Sequence, residues 1–348
     1  MDNLTLVRVR IQGVVQGVGF RPFVYRLASR YGLTGWVRNT AGSVEIEAEG
    51  DEMTLRSFLA SIESERPPRA RIDCVEASFH LPMGHSGFDI LPSRHEVGTS
   101  QLISPDIAIC EDCRSEILDP IDRRSRYPFT NCTNCGPRFT IIEDIPYDRS
   151  RTAMHPFRMC EACQREYDDP VNRRFHAQPN ACAQCGPRLW ITDSQGVTQD
   201  VKDVLSAAVE LLVEGKILAI KGLGGFHLVC DATNEDAVSH LRERKRRPSK
   251  PFAVMLQDTQ AAAEHCILTP AEERLLESPE CPIVLLRWRL GTSSISSGVA
   301  PNQNRLGVML PCTPLHVLLL ADADRPLVMT SGNLCGEPLA KENDEAVR

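Results

Sequence analysis

"CTNCGPRF" occupies residues 132–139 and "CAQCGPRL" residues 182–189, nearly one line written twice at an offset of 50. The echo extends upstream, where "CEDCRSEILDPIDRR" starts at Cys110 and "CEACQREYDDPVNRR" at Cys160. Cys110, Cys113, Cys132 and Cys135 thus have counterparts in Cys160, Cys163, Cys182 and Cys185. A CxxC turn aims two thiolates at one point, and two such turns complete a tetrahedral four-sulfur site suited to zinc. Eighteen residues separate the two pairs within each copy, a spacing usual for such sites. A redox CxxC needs one pair at a helix N-terminus after a strand, not four pairs in duplicate. The repeat predicts two structural four-cysteine zinc sites over residues 105–190.

The sequence leaves the pairing open. The pairs can close sequentially, or interleave as in the DnaJ cysteine-rich domain. Four thiolates leave no open position for a substrate, so the zinc is read as structural. The segment is poor in aliphatic runs and rich in Arg, Asp and Pro, so metal must supply folding energy. His155 and His176 lie close by and are read as ordinary hydrogen-bonding residues. The remaining cysteines (Cys74, Cys230, Cys266, Cys281, Cys312 and Cys335) are scattered and are read mostly as small buried side chains.

A chain of 348 residues has room for two or three domains. With 42% hydrophobic and 24% charged residues it reads as soluble and globular. A formal charge of −7 argues against a nucleic-acid-coating function. No apolar run approaches the ~18 residues of a membrane span. The N-terminal "MDNLTLVRVRIQG" alternates as a strand and not as a signal peptide, so the expected compartment is the cytoplasm.

Residues 1–92 read as a compact unit of order β-α-β-β-α-β. "TLVRVRI", "GWVRN", "SVEIEAE" and "RIDCVEASF" are strands, and Phe23/Leu27/Tyr31 and Leu55/Phe58/Leu59/Ile62 mark two helix faces. That order is the ferredoxin-like split βαβ arrangement. Between the first strand and helix, "GVVQGVGFRP" (13–22) places glycines where backbone N–H groups can curl around an anion, with Arg21 beside them. This loop followed by "GWVRN" resembles the acylphosphatase family. The resemblance implies that Arg21 binds a phosphoryl group and Asn39 positions the attacking water.

After a polar linker, residues 201–348 alternate helices and strands: a helix over 201–214, "ILAI", the helix "NEDAVSHLRER", "FAVML", the capping box "TPAE", "IVLLR" and "PLVM". Six basic residues and one acidic residue lie between Arg242 and Lys250. A solvated helix end or a nucleic-acid contact would account for the charge alone. Together, however, K-x-R-P (Lys245–Pro248), Lys250 and "TSGN" (330–333) resemble the YrdC-like carbamoyl-adenylating domain. The resemblance implies that Lys245, Arg247 and Lys250 hold the triphosphate of ATP, accompanied by Mg2+. Ser331 and Asn333 bind nucleotide phosphates on the same grounds.

The three parts in this order resemble the HypF family, carbamoyltransferases of [NiFe]-hydrogenase maturation. "YPFTNCTNCGPRFTI", "PYDR" and "KGLGGFHLVCDA" look like signatures of that family. The fold class implied is multidomain α+β and α/β. It comprises a ferredoxin-like acylphosphatase domain (1–92), two four-cysteine zinc fingers (105–190) and a YrdC-like twisted-sheet α/β domain (201–348). The implied chemistry is hydrolysis of carbamoyl phosphate, then activation of carbamate by ATP. Transfer to the C-terminal cysteine of a HypE partner follows, towards cyanide ligands of the hydrogenase iron. Family members continue into a further domain that performs the transfer, whereas this chain stops at "KENDEAVR" (341–348). A fragment is therefore expected, with the acylphosphatase step retained. The competing classes are a stand-alone acylphosphatase with zinc-stabilised appendages, and a zinc-ribbon module binding nucleic acid or protein.

Overall fold

A computed structural model of the chain describes residues 4–40, 42–94, 102–333 and 336–348. Contacts divide the chain into two units: Met1–Ile107 with Thr130–Pro187, and Ala108–Phe129 with Arg188–Arg348. Cys335 lies outside the described residues.

The first unit begins with β1 (Leu4–Val14), α1 (Phe20–Arg30), β2 (Thr34–Thr40), β3 (Ser43–Asp51), α2 (Glu52–Ser64), β4 (Arg71–His80) and β5 (Phe88–Ile90). The sheet order is β4-β1-β3-β2-β5, antiparallel except for β2 and β5. Alternation in β1 sends Val7, Val9 and Ile11 inward while Arg8 and Arg10 face out. The inward face meets Phe20, Val24 and Leu27 of α1 and Leu55, Phe58 and Ile62 of α2. On the outer face Arg8 bonds the Glu47 carboxylate at 2.7 Å and Arg10 the Ser43 hydroxyl at 3.2 Å. The helix-strand order expected from the sequence is present. The short parallel strand β5 is an addition that three residues of sequence do not announce.

Two short helices follow in the cysteine segment, α3 (Glu111–Leu118) and α4 (Glu161–Asp168). Each starts directly after the first cysteine of a copy and buries the second, Cys113 or Cys163, on its inner side. Around them the chain runs as turns, so little apolar surface is available to hold it.

The remaining elements are α5 (Val204–Val213), β6 (Leu218–Lys221), β7 (Phe226–Asp231), α6 (Glu235–Arg244), β8 (Ala253–Met255), α7 (Thr259–His265), β9 (Cys266–Ile267), α8 (Pro270–Leu276), β10 (Val284–Trp288), β11 (Arg305–Met309), α9 (Pro314–Ala323), β12 (Leu327–Ser331) and α10 (Asn343–Val347). Seven strands form one sheet ordered β6-β7-β12-β8-β11-β10-β9, with β8 and β11 parallel. One face packs Val254, Val308 and Val328 against Val238 and Leu241 of α6. The other packs Val229, Met255 and Met329 against Leu212 of α5 and Leu319 and Leu320 of α9. The TPAE capping box forms as expected, with Thr269 and Glu272 bonding each other's backbone N–H. The helix expected over 201–214 starts only at Val204, because the Asp203 side chain caps it. Cys230 and Cys266 are buried, as expected of small apolar side chains, but Cys74 is exposed on the edge strand β4.

Candidate functional site

The first cluster sits where β1 hands over to α1. Gly17 and Gly19 adopt left-handed φ values of 71° and 73°, and Gly19 is the N-cap of α1, so the loop folds back over the helix start. Gln16, 4% exposed, pins that loop by donating to the carbonyls of Thr40 (2.7 Å) and Ser43 (3.1 Å). Arg21 follows in the first turn of α1, only 8% exposed. It donates to Asp148 Oδ1 at 2.9 Å and to the Ser93 hydroxyl at 3.3 Å. Asn39, in β2 and 1% exposed, has its amide assigned with the oxygen towards Arg21, accepting from Nε at 3.1 Å and Nη2 at 3.3 Å. Arg21, Asn39, Gln16, Gly17 and Gly19 therefore line one cleft. Thr133, Tyr147, His176 and Gln178 complete it.

Arg138, of the "CGPR" turn, is buried behind this loop. Its guanidinium donates to the carbonyls of Gly17, Cys132, Thr133 (3.0 Å), Cys135 (2.9 Å) and Pro137 (3.0 Å). One side chain thus ties a cysteine knuckle to the glycine loop. Its counterpart in the repeat, Arg188, is exposed, so the two copies share a fold and not a role. Arg21 and Asn39, expected from the sequence as partners, meet in this cleft, and Asp148, Gln16 and His176 join them without having been expected there. Only "PYDR" hinted at Asp148.

The cysteines resolve the pairing in favour of sequential closure. The sulfurs of Cys110, Cys113, Cys132 and Cys135 lie within 4.8 Å of one another, as do those of Cys160, Cys163, Cys182 and Cys185. A tetrahedral zinc with metal–sulfur bonds of about 2.3 Å requires sulfurs about 3.8 Å apart. Cys132–Cys135, Cys160–Cys182 and Cys182–Cys185 are each separated by 3.8 Å, and Cys163–Cys185 by 3.6 Å. The donor sets fit structural zinc. His155 is exposed and belongs to neither set.

A second cationic cluster gathers at the end of β12. Lys245 is the C-cap of α6, and its ammonium donates to the carbonyls of Ser331 and Asn333, the latter at 3.3 Å. Arg247 donates to the Thr330 hydroxyl at 3.3 Å and to the Lys250 carbonyl at 3.1 Å, and lies over the Phe252 ring at 5.1 Å. Ser331 Oγ and Asn333 Oδ1 are hydrogen-bonded, and Asn333 Nδ2 donates to the Glu337 carbonyl at 2.7 Å. Lys245, Arg247, Ser331 and Asn333 are thus brought together across more than 80 residues of sequence. Lys245 and Arg247 lie at the end of α6 and in the turn after it, and β8 begins only at Ala253. Lys250 is exposed and contributes its carbonyl to the turn.

Three family profiles match the chain: Acylphosphatase over residues 7–90, HypF finger over 109–142 and 159–192, and the Sua5/YciO/YrdC profile, described as Telomere recombination, over 210–348. The carbamoyltransferase HypF2 of Cupriavidus necator is 50% identical over 98% of this chain and 44% of its own length. This chain belongs to the HypF family. A crystal structure of full-length HypF in the phosphate- and nucleotide-bound form is 46% identical, with a TM-score of 0.94. The match covers 99% of this chain and 45% of that one. An acylphosphatase of Synechococcus is 46% identical over 26% of this chain and 78% of its own. The chain therefore spans about 45% of the length of the HypF relatives it matches. Among its described residues no helix is long and apolar enough to cross a membrane.

Proposed function

We propose that the Arg21–Asn39 cleft hydrolyses carbamoyl phosphate, and that the cluster of Lys245, Arg247, Ser331 and Asn333, with Lys250 at its rim, activates the carbamate with Mg·ATP. The chain then comprises an acylphosphatase-like part (1–92), a zinc-finger part (105–190) and an adenylating part (201–348). The observation that carries it is a buried arginine and a buried asparagine meeting at a left-handed glycine loop.

The phosphoryl oxygens take the place of Asp148 and Ser93 on the Arg21 guanidinium and accept from the loop N–H groups, which spreads their charge. Asn39, its amide oxygen held by Arg21, keeps its nitrogen as donor and holds a water in line with phosphorus. That water's oxygen forms the new P–O bond as the bond to the acyl oxygen breaks. Carbamate leaves with the bonding pair, and the water's proton passes to solvent. No covalent enzyme intermediate is needed.

At the second cluster the carbamate oxygen attacks the α-phosphorus of ATP, giving carbamoyl adenylate and pyrophosphate. Lys245 and Arg247 neutralise the leaving charge, while Ser331 and Asn333 bond phosphate oxygens without adding charge. Zinc holds the fingers and takes no chemical step. In the proposed sequence the carbamoyl group is then passed to a HypE-type partner cysteine, in the cytoplasm. The HypF relatives' printed names, carbamoyltransferases, support a carbamoyl group as what is finally transferred.

The test is hydrolysis of carbamoyl phosphate by the purified chain. Arg21→Ala is expected to lose at least about a hundredfold in kcat/KM, the scale of removing one charge-stabilising donor. Asn39→Ala is expected to lose kcat with KM little changed, because orienting the water matters mainly in the transition state. Full activity in Arg21→Ala would overturn the assignment.

A further inference from the structure

The cleft beside Arg21 is small, about 30 Å³. On the scale where about 10–15 Å³ admits one water, the cleft holds about two or three, so an acyl group brought in with a phosphate lies close against its wall. Most polar atoms of the wall are already committed. Gln178 accepts from the Arg149 N–H at 2.7 Å and donates to the His176 carbonyl (2.8 Å) and the Tyr167 hydroxyl (3.0 Å). The Tyr147 hydroxyl donates to the Pro137 carbonyl at 3.4 Å. His176 is different. It lines the cleft, yet neither ring nitrogen has a hydrogen-bond partner among the described residues. The ring is held in place by Tyr167 and Phe175, with centroids at 4.9 and 4.7 Å, and its backbone N–H donates to the Tyr167 carbonyl at 3.0 Å.

The duplication supplies an internal control. His176 has a left-handed φ of 54°, and Arg126, 50 positions earlier, has 56°. The backbone shape therefore belongs to the finger. The side chain does not, because Arg126 is spent on an ion pair with Asp322 at 2.7 Å. Nothing in the finger fold calls for an imidazole at this place. Burial first, and then the Arg21 charge, push the His176 pKa down to about 4, so the ring is neutral at pH 7. A neutral imidazole keeps one N–H donor and one bare acceptor nitrogen.

We propose that His176 recognises the amino group of carbamoyl phosphate, its bare ring nitrogen accepting a hydrogen bond from the carbamoyl N–H, while the surrounding wall excludes bulky acyl groups. The proposal rests on the reading of Arg21 and Asn39 as an acyl phosphate site. Acetyl phosphate places a methyl group against the same nitrogen and leaves it dry. Benzoyl phosphate brings a whole ring against the same close wall. A site that hydrogen-bonds a substrate group discriminates against analogues lacking it, because its own polar atom is then left unpaired.

The experiment is steady-state hydrolysis of carbamoyl, acetyl and benzoyl phosphate by the full chain, His176→Phe and His176→Gln. The native chain is expected to favour carbamoyl over acetyl phosphate by about tenfold in kcat/KM, on the scale of one neutral hydrogen bond, and to turn over benzoyl phosphate least. In His176→Phe the carbamoyl-to-acetyl ratio falls to about one, and His176→Gln, which keeps an acceptor, retains part of the preference. If His176→Phe fails to bind two zinc ions, His176→Asn serves as the removal variant, since asparagine suits the left-handed backbone and is too short to reach. A native chain with no carbamoyl preference, or a removal variant that keeps it, overturns the proposal. A native chain that cleaves none of the three compounds overturns the acyl phosphate reading itself.

Discussion

Arg21 is a cation at the bottom of a cleft, and its resting counter-charge is the Asp148 carboxylate at 2.9 Å. A phosphate entering the cleft must compete with that carboxylate, since both seek the same guanidinium edge. Partly buried charges a few ångströms apart interact by several kcal/mol at an effective dielectric constant of about 20, so removing one changes anion affinity measurably. Asp148→Asn, which keeps the shape and a hydrogen-bond acceptor, is expected to tighten competitive inhibition by inorganic phosphate by about tenfold. An unchanged inhibition constant would show that Asp148 only orients Arg21. Arg21 and Asn39 were legible in the sequence because they belong to short local motifs, a glycine loop and "GWVRN". Asp148 and His176 were not, because they reach the cleft from more than 100 residues downstream, through the folding of the cysteine segment. His176 was instead assigned the ordinary fate of a histidine near metal ligands.

The elements of the first sheet were readable because each shows a single period, two in the strands and near 3.6 in α1 and α2. The helix α9, "PLHVLLLADA", was not, since Pro314–Leu320 are buried all round and leave no polar face to set a phase. Strand β11 was lost because its five residues, with Leu306, Gly307 and Val308 all buried, show no alternation. The fingers were legible as metal sites, but their pairing was not. Spacing alone is indifferent between sequential and interleaved closure, and it took the sulfur positions to decide. The purified chain is expected to carry two zinc ions by elemental analysis, and Cys163→Ser to carry one. Because residues 176–179 of the cleft wall belong to the segment closed by Cys163, that variant should also lose discrimination against benzoyl phosphate. Two zinc ions in Cys163→Ser, or unaltered discrimination after loss of one, would contradict the structural coupling.

At the scale of the whole molecule, a chain of net charge −7 still sets a buried arginine in the first cleft and a lysine and an arginine at the end of β12, and each proposed anionic substrate calls for such cations. The proposed steps are linked by chemistry, because the carbamate released in the first is consumed in the second. Arg247→Ala removes a charge-assisted contact worth about 1.5–3 kcal/mol, so ATP affinity, read by calorimetry on the 348-residue chain, is expected to fall at least tenfold. Carbamoyl-phosphate hydrolysis in the same variant should persist, since Arg247 belongs to the second unit and the Arg21 cleft to the first. Arg21→Ala should give the converse pattern. ATP binding is kept, pyrophosphate exchange driven by carbamoyl phosphate is lost, and exchange driven by ammonium bicarbonate, which supplies carbamate directly, survives. The crossed pattern requires two sites joined by one intermediate, so a native chain in which bicarbonate cannot replace carbamoyl phosphate would rule out free carbamate between them. Equal ATP affinity in the native chain and Arg247→Ala would return the basic stretch to a solvated helix end.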